Sequence, residues 1–107
     1  MYNKREETKE MIGELFIMEH KYEQMISICK ALGHPVRLRI FTLLAEQGES
    51  YCGDMVSLVG VAQSTVSHHL KILKDSGLVT TEEQGTFVCY RVQRERLREL
   101  AHLLEGL

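Results

Sequence analysis

Apolar residues recur along this chain with two different periods, and the change of period marks its organisation. Residues 5–31 carry Met11, Ile12, Leu15 and Phe16, then Tyr22, Met25, Ile26 and Cys29, at three- and four-residue steps with Glu and Lys between them. That spacing predicts one long helix. Gly33 breaks it, and Pro35 suits the first turn of a second helix, "PVRLRIFTLLAEQG", with Val36, Ile40, Leu43 and Leu44 on one face. Gly48 ends that helix. "SYCGDMVSLVG" predicts a short third helix with Met55, Leu58 and Val59 apolar and Ser50 as its cap. After the turn "VAQ", a fourth helix runs from Gln63 to Asp75 and stops at Ser76-Gly77.

The period then switches from helical to alternating. "LVTTEEQGTFVCYRV" is rich in β-branched and aromatic residues. Val88, Tyr90 and Val92 form one face of a strand, and Phe87, Cys89 and Arg91 the other. Glu83-Gln84-Gly85 supplies the turn of a two-stranded hairpin. "QRERLRELAHLLEGL" closes the chain as a helix with Leu97, Leu100, Ala101 and Leu104 on one stripe. The expected fold is mainly α with a small β-hairpin, in the order α-α-α-α-β-β-α. A short helix, a tight turn, a polar-faced helix and a hairpin describe a winged helix-turn-helix. No linker or internal repeat divides residues 1–107, so one domain is expected.

The fourth helix, "QSTVSHHLKILKD", contains two adjacent histidines. A helix advances roughly 100° per residue, so Leu70, Leu73 and His69 fall within about 60° of Val66. Ser64, Ser67, His68 and Lys71 gather on the opposite side. Thr65 and Gln63 lie at its two boundaries. The histidines therefore diverge, and neighbouring helix positions make a poor chelate for one metal ion. Ser, Thr, Gln and His hydrogen-bond base edges or phosphates, and Lys pairs with phosphate. The same face would also serve as an ordinary solvated surface.

Charge adds a restriction. Thirteen Lys and Arg against fifteen Asp and Glu leave a net charge of −2. A globally basic nucleic-acid binder is excluded, while Lys30, Arg37, Arg39, Lys71 and Lys74 allow a local basic surface. No segment approaches the ~20 apolar residues of a membrane span, and the charged start "MYNKREETKE" is not of secretory type. A cytoplasmic location is expected, with no membrane partner. The three cysteines, Cys29, Cys52 and Cys89, are widely spaced and form no CxxC pair. An odd number argues against a disulfide framework. No Gly-rich phosphate loop, G-x-S-x-G, HExxH or catalytic Cys signature is present, so an enzyme is not expected. A protein-interaction module on the same scaffold stays open, since one fold hosts many functions.

"KALGHPVRLRIFTLLAEQGES", "VAQSTVSHHLKILKDSGLV" and "GTFVCYRV" together resemble the ArsR/SmtB family of winged-helix repressors, over roughly residues 28–92. The resemblance implies a homodimer built on the first and last helices, a double-stranded DNA operator with two-fold symmetry, and repression relieved by an inducer. Gln63, Ser64, Thr65, Ser67, His68 and Lys71 are the candidate DNA-reading residues. Leu15, Phe16, Leu97, Leu100 and Leu104 are the candidate dimer residues. The stripes on the first and last helices point the same way, because a chain of 107 residues has little core to cover both.

Two departures from the family pattern bear on the inducer. Many members carry a cysteine pair at the start of the third helix. Here Tyr51 and Gly53 hold those positions, and Cys52 falls between them. A second family site opens the last helix with Asp-x-His. Here the opening reads Gln93-Arg94-Glu95-Arg96, and His102-Leu-Leu-Glu105 keeps only the spacing of the second half. No cofactor is required, and the identity of any metal is open. Three cysteines suffice for a trigonal thiolate site for As(III) or another soft ion. Two suffice for a redox or reactive-sulfur bridge. Buried cysteines that merely pack are the alternative. Cys52 is the first candidate sensor, with Cys89 or Cys29 as its partner. Glu82 and Glu83 also stand where family wings often carry Arg or Lys.

Overall fold

The computed structural model describes residues 4–107. Residues 1–3 of the expected domain lie outside that range. Helices α1 (Lys4–Leu32) and α2 (Pro35–Gln47) are followed by strand β1 (Glu49–Tyr51), then α3 (Cys52–Val59) and α4 (Gln63–Asp75). Strands β2 (Val79–Gln84) and β3 (Phe87–Val92) and helix α5 (Arg94–Glu105) complete the chain.

The expected order lacked β1. Glu49, Ser50 and Tyr51 pair antiparallel with Arg91, Tyr90 and Cys89, so the hairpin becomes a three-stranded sheet in the order β1-β3-β2. Ser50 therefore does not cap α3. It is a buried strand residue, and Tyr51 stands at the N-cap with no side-chain bond to the helix. Three residues are too few for alternation to announce a strand. The pairing partner, more than thirty-five residues away, decides it.

The core lies where α2, α3 and α4 meet the sheet and the last turns of α1. Ile28, Ile40, Leu44, Met55, Val66, Leu70, Leu73 and Leu78 are each fully buried. Phe41, outside the expected face of α2, is buried as well. Burying each such side chain contributes about 1.5–3 kcal/mol. Gly60 (φ 77°) adopts the left-handed conformation that stops α3 and opens the tight turn to α4. Gly77 (φ 85°) does the same after α4, and the Leu78 N–H reaches back to the Leu73 carbonyl at 3.2 Å.

Helix α1 departs from this packing. Only Met25, Ile28 and Ala31 along it are buried. The radius of gyration is 18.3 Å, against about 13 Å for a compact chain of this length. The molecule extends 66 × 32 × 21 Å because the N-terminal part of this 29-residue helix projects from the body.

Candidate nucleic-acid interface

Helix α4 is placed by its inner face. Val66, His69, Leu70 and Leu73 are buried, as the sequence pattern requires. Gln63, Ser64, Thr65, Ser67, His68 and Lys71 are all exposed. Of the two histidines, His69 is thus buried and His68 exposed, with their ring centroids 5.7 Å apart. Ala62 stands at the N-cap and offers no side-chain acceptor, while its carbonyl takes the N–H groups of Thr65 and Val66, both at 3.0 Å. The first N–H groups of α4 are thereby left without a capping side chain, beside Gln63 and Ser64.

His69 is held by more than apolar contact. Its Nδ1 accepts from Arg37 Nε at 3.4 Å, and its ring lies 4.6 Å from that of His34. Burial pushes its pKa down, and His34, Arg37 and His68 push the same way. His34 is the N-cap of α2, accepting from the N–H groups of Val36 and Arg37. Sequence reasoning missed this cap. The signal was a polar residue directly before a proline at the first helical turn.

The structure does not bring the three cysteines together within a protomer. Cys29 is exposed on α1, although it continues that helix's apolar spacing. Cys89 is buried on the outer face of the sheet, 3.6 Å from Glu49 Oε2, and burial foremost, then Glu49, raises its thiol pKa. Cys52 lies at the start of α3, packed toward the core, with its Sγ 3.4 Å from Ser67 Oγ of α4. Among the described residues, no group of three or more His, Cys, Asp and Glu is arranged to hold a metal ion. The trigonal thiolate site that three cysteines suffice for is therefore not assembled among the described residues of one protomer. The sequence spacing gave no hint that the sheet separates Cys89 from the core.

The wing is less acidic than its sequence. Arg91 pairs with Glu82 and with Glu49, each at 2.8 Å, and holds the Glu49 carboxyl below the usual carboxylate range. Glu83 remains exposed. On the outer face, Tyr51 donates to Gln84 and meets Phe87 edge-on at 5.9 Å.

The candidate dimer residues divide. Leu15 and Phe16 are 56% and 70% exposed, and Leu104 is 55% exposed. Leu97 and Leu100 are partly buried against the protomer's own core. His102 and Glu105 are both exposed.

A short helix, a left-handed glycine turn, a two-faced helix and a three-stranded wing define a winged helix-turn-helix domain. A helix-turn-helix domain model matches residues 32–82. An HTH-type transcriptional regulator of Methanocaldococcus jannaschii is 39% identical over 87 residues, which cover 81% of this chain and 98% of that protein. The arsenical resistance operon repressor of Bacillus subtilis is 39% identical over 80 residues, covering 75% of this chain and 73% of that one. A solution structure from Mycobacterium bovis is similar with a TM-score of 0.67 and 32% identity, over 79% of each chain. It is described as the homodimeric winged helix-turn-helix DNA-binding domain of a possible ArsR-family transcriptional regulator. The chain belongs to the ArsR family of winged helix-turn-helix transcriptional regulators.

Proposed function

We propose that this chain is a cytoplasmic, homodimeric repressor whose two α4 helices enter successive major grooves of a two-fold-symmetric operator. The carrying observation is the division of α4. Val66, His69, Leu70 and Leu73 fix the helix, while Gln63, Ser64, Thr65, Ser67, His68 and Lys71 are exposed on its outer face. Helices so presented read half-sites about one helical turn apart. Leu15, Phe16 and Leu104 supply exposed apolar surface for the dimer, and Leu97 and Leu100 back it from the core side. The relatives include repressors of arsenical resistance, and the similar Mycobacterium bovis domain is homodimeric.

Release by an inducer is read at Cys52. Its sulfur touches Ser67 on the outer face of α4, so oxidation, persulfide formation or soft-metal binding there would push on that helix. Cys29 and Cys89 are the weaker candidates. A soft ion such as As(III) would need ligands beyond those one protomer gathers.

A gel shift with an inverted repeat from the gene's own upstream region tests the reading. Binding that weakens steeply with salt supports it. No binding at low salt would favour an interaction module instead. Replacing each cysteine by serine, with arsenite, cadmium, peroxide and polysulfide as inducers, tests the sensor. Unchanged release in all three variants removes the cysteines from the mechanism.

A further inference from the structure

Three side chains that the DNA-facing surface does not use meet beneath α4. The Nδ1 of His34 accepts the N–H groups of Val36 and Arg37 at 3.2 and 3.4 Å. Arg37 donates through Nε to His69 Nδ1 at 3.4 Å. Its Nη1 donates to the carbonyls of Lys30 and Ala31, at 3.3 and 3.2 Å, in the last turn of α1. One guanidinium thereby ties α1, α2 and α4 together, and the His34 and His69 rings lie 4.6 Å apart beside it.

This arrangement dictates protonation. Backbone N–H groups and the guanidinium only donate, so each imidazole must present an unprotonated Nδ1 and carry its hydrogen on Nε2. A proton on His34 Nδ1 would face two backbone N–H groups. A proton on His69 Nδ1 would face a guanidinium. Either would replace an acceptor with a second donor, and at His69 it would also set two cations against each other.

We propose that His34, Arg37 and His69 are positioning residues that seat α4 for DNA recognition, and that operator binding therefore weakens on mild acidification. The inference rests on the reading of α4 as the recognition helix. The groups facing His69 are His34 at the N-cap of α2, Arg37 from α2 and His68 from α4, all cationic when protonated. Ser27, Lys30 and Asp75 line the groove beside Arg37, and α1 also offers the carbonyls of Lys30 and Ala31.

The sign follows from His69. Its folded pKa lies below the ordinary value near 6.5, so the unfolded chain binds more protons between the two values. The stabilisation is complete above about pH 6.5 and is lost as the pH falls through the folded value.

Operator affinity measured by fluorescence anisotropy from about pH 7.5 to about pH 5.5, at constant ionic strength, tests this. The wild type is expected to weaken about three- to tenfold. In His34→Asn/His69→Asn the amide oxygens stand in for both Nδ1 acceptors without titrating. Compared with its own value at the upper pH, the affinity of that variant should change by less than about twofold at the lower. A wild type that binds equally well or better in acid overturns the inference, as does a double variant that weakens in parallel. If the variant fails to fold, imidazole nitrogen NMR on the wild type decides. An Nδ1–H tautomer at His34 or His69 sinks the proposal. Absence of binding at the upper pH removes the DNA reading itself, whereas sound binding without acid sensitivity removes this inference alone.

Discussion

Helix α4 turns Val66, His69, Leu70 and Leu73 inward and leaves polar side chains outside. Helix α1 does so only over its last turns. Further out it leaves Met11, Ile12, Leu15, Phe16, Ile17, Met18 and Tyr22 in solvent. Both are amphipathic helices on one small domain, yet their free faces have opposite chemistry. A polar free face on an anchored helix suits a hydrated, charged partner such as a DNA groove. An apolar free face on a projecting helix suits a partner that removes it from water. A second copy of the chain satisfies that demand with the same surface on both sides.

The largest expected effect comes from giving α1 the chemistry of α4. Leu15→Glu/Phe16→Glu should convert the dimer to monomer in sedimentation equilibrium. Burying each Leu or Phe contributes about 1.5–3 kcal/mol, and a two-fold interface counts each substitution twice. Operator affinity should then fall at least about a hundredfold, since two linked half-sites become two separate ones. Leu104→Glu should act in the same direction. Leu100→Glu is a less clean probe, because Leu100 also packs against its own protomer. A double variant that stays dimeric and binds its operator would leave the apolar face of α1 without this explanation.

The two histidines of α4 test the division of that helix at adjacent positions. His69→Ala removes a buried ring and the acceptor for Arg37, and should cost about 1–3 kcal/mol in thermal or denaturant melts. His68→Ala leaves the core untouched. It should weaken operator binding by about 1 kcal/mol, roughly fivefold, with an unchanged melting midpoint. Lys71→Ala should lower the salt slope of binding by about one. Reversal of the two histidine outcomes would contradict the facing of the helix.

Much of this division is legible in the sequence because it is local. The 3.6-residue period assigns all four buried residues of α4 and places Ser64, Ser67, His68 and Lys71 outward, with Gln63 and Thr65 at the edges, without reference to the rest of the chain. The hairpin and the glycine stops are equally local. What escapes is decided by distant partners. Strand β1 exists because Arg91, Tyr90 and Cys89 are there to pair with it. Glu82 is neutralised by an arginine across the sheet. The Arg37–His69 bond joins residues 32 positions apart. The sequence ranks Cys52 ahead of Cys89 as a sensor, but only the fold shows that Cys89 is buried on the sheet and that Cys52 touches α4.

The smallest effect sharpens the comparison without disturbing either helix. Met11, Leu15, Met18, Tyr22, Met25 and Cys29 follow one another at alternating four- and three-residue steps, so Cys29 extends the apolar stripe of α1. Cys29 is exposed in the protomer, Cys52 is half-buried beside Ser67, and Cys89 is buried with its thiol pKa raised. Thiolate is the reactive form, so iodoacetamide should spare Cys89 until the protein unfolds. If a second copy covers α1, Cys29 should react several-fold more slowly in the dimer than in Leu15→Glu/Phe16→Glu, whereas Cys52 should react alike in both. Peptide mass spectrometry over a time course resolves the three rates. Equal Cys29 rates in the two proteins would place this end of the stripe outside the interface and confine the dimer contact to the projecting turns of α1.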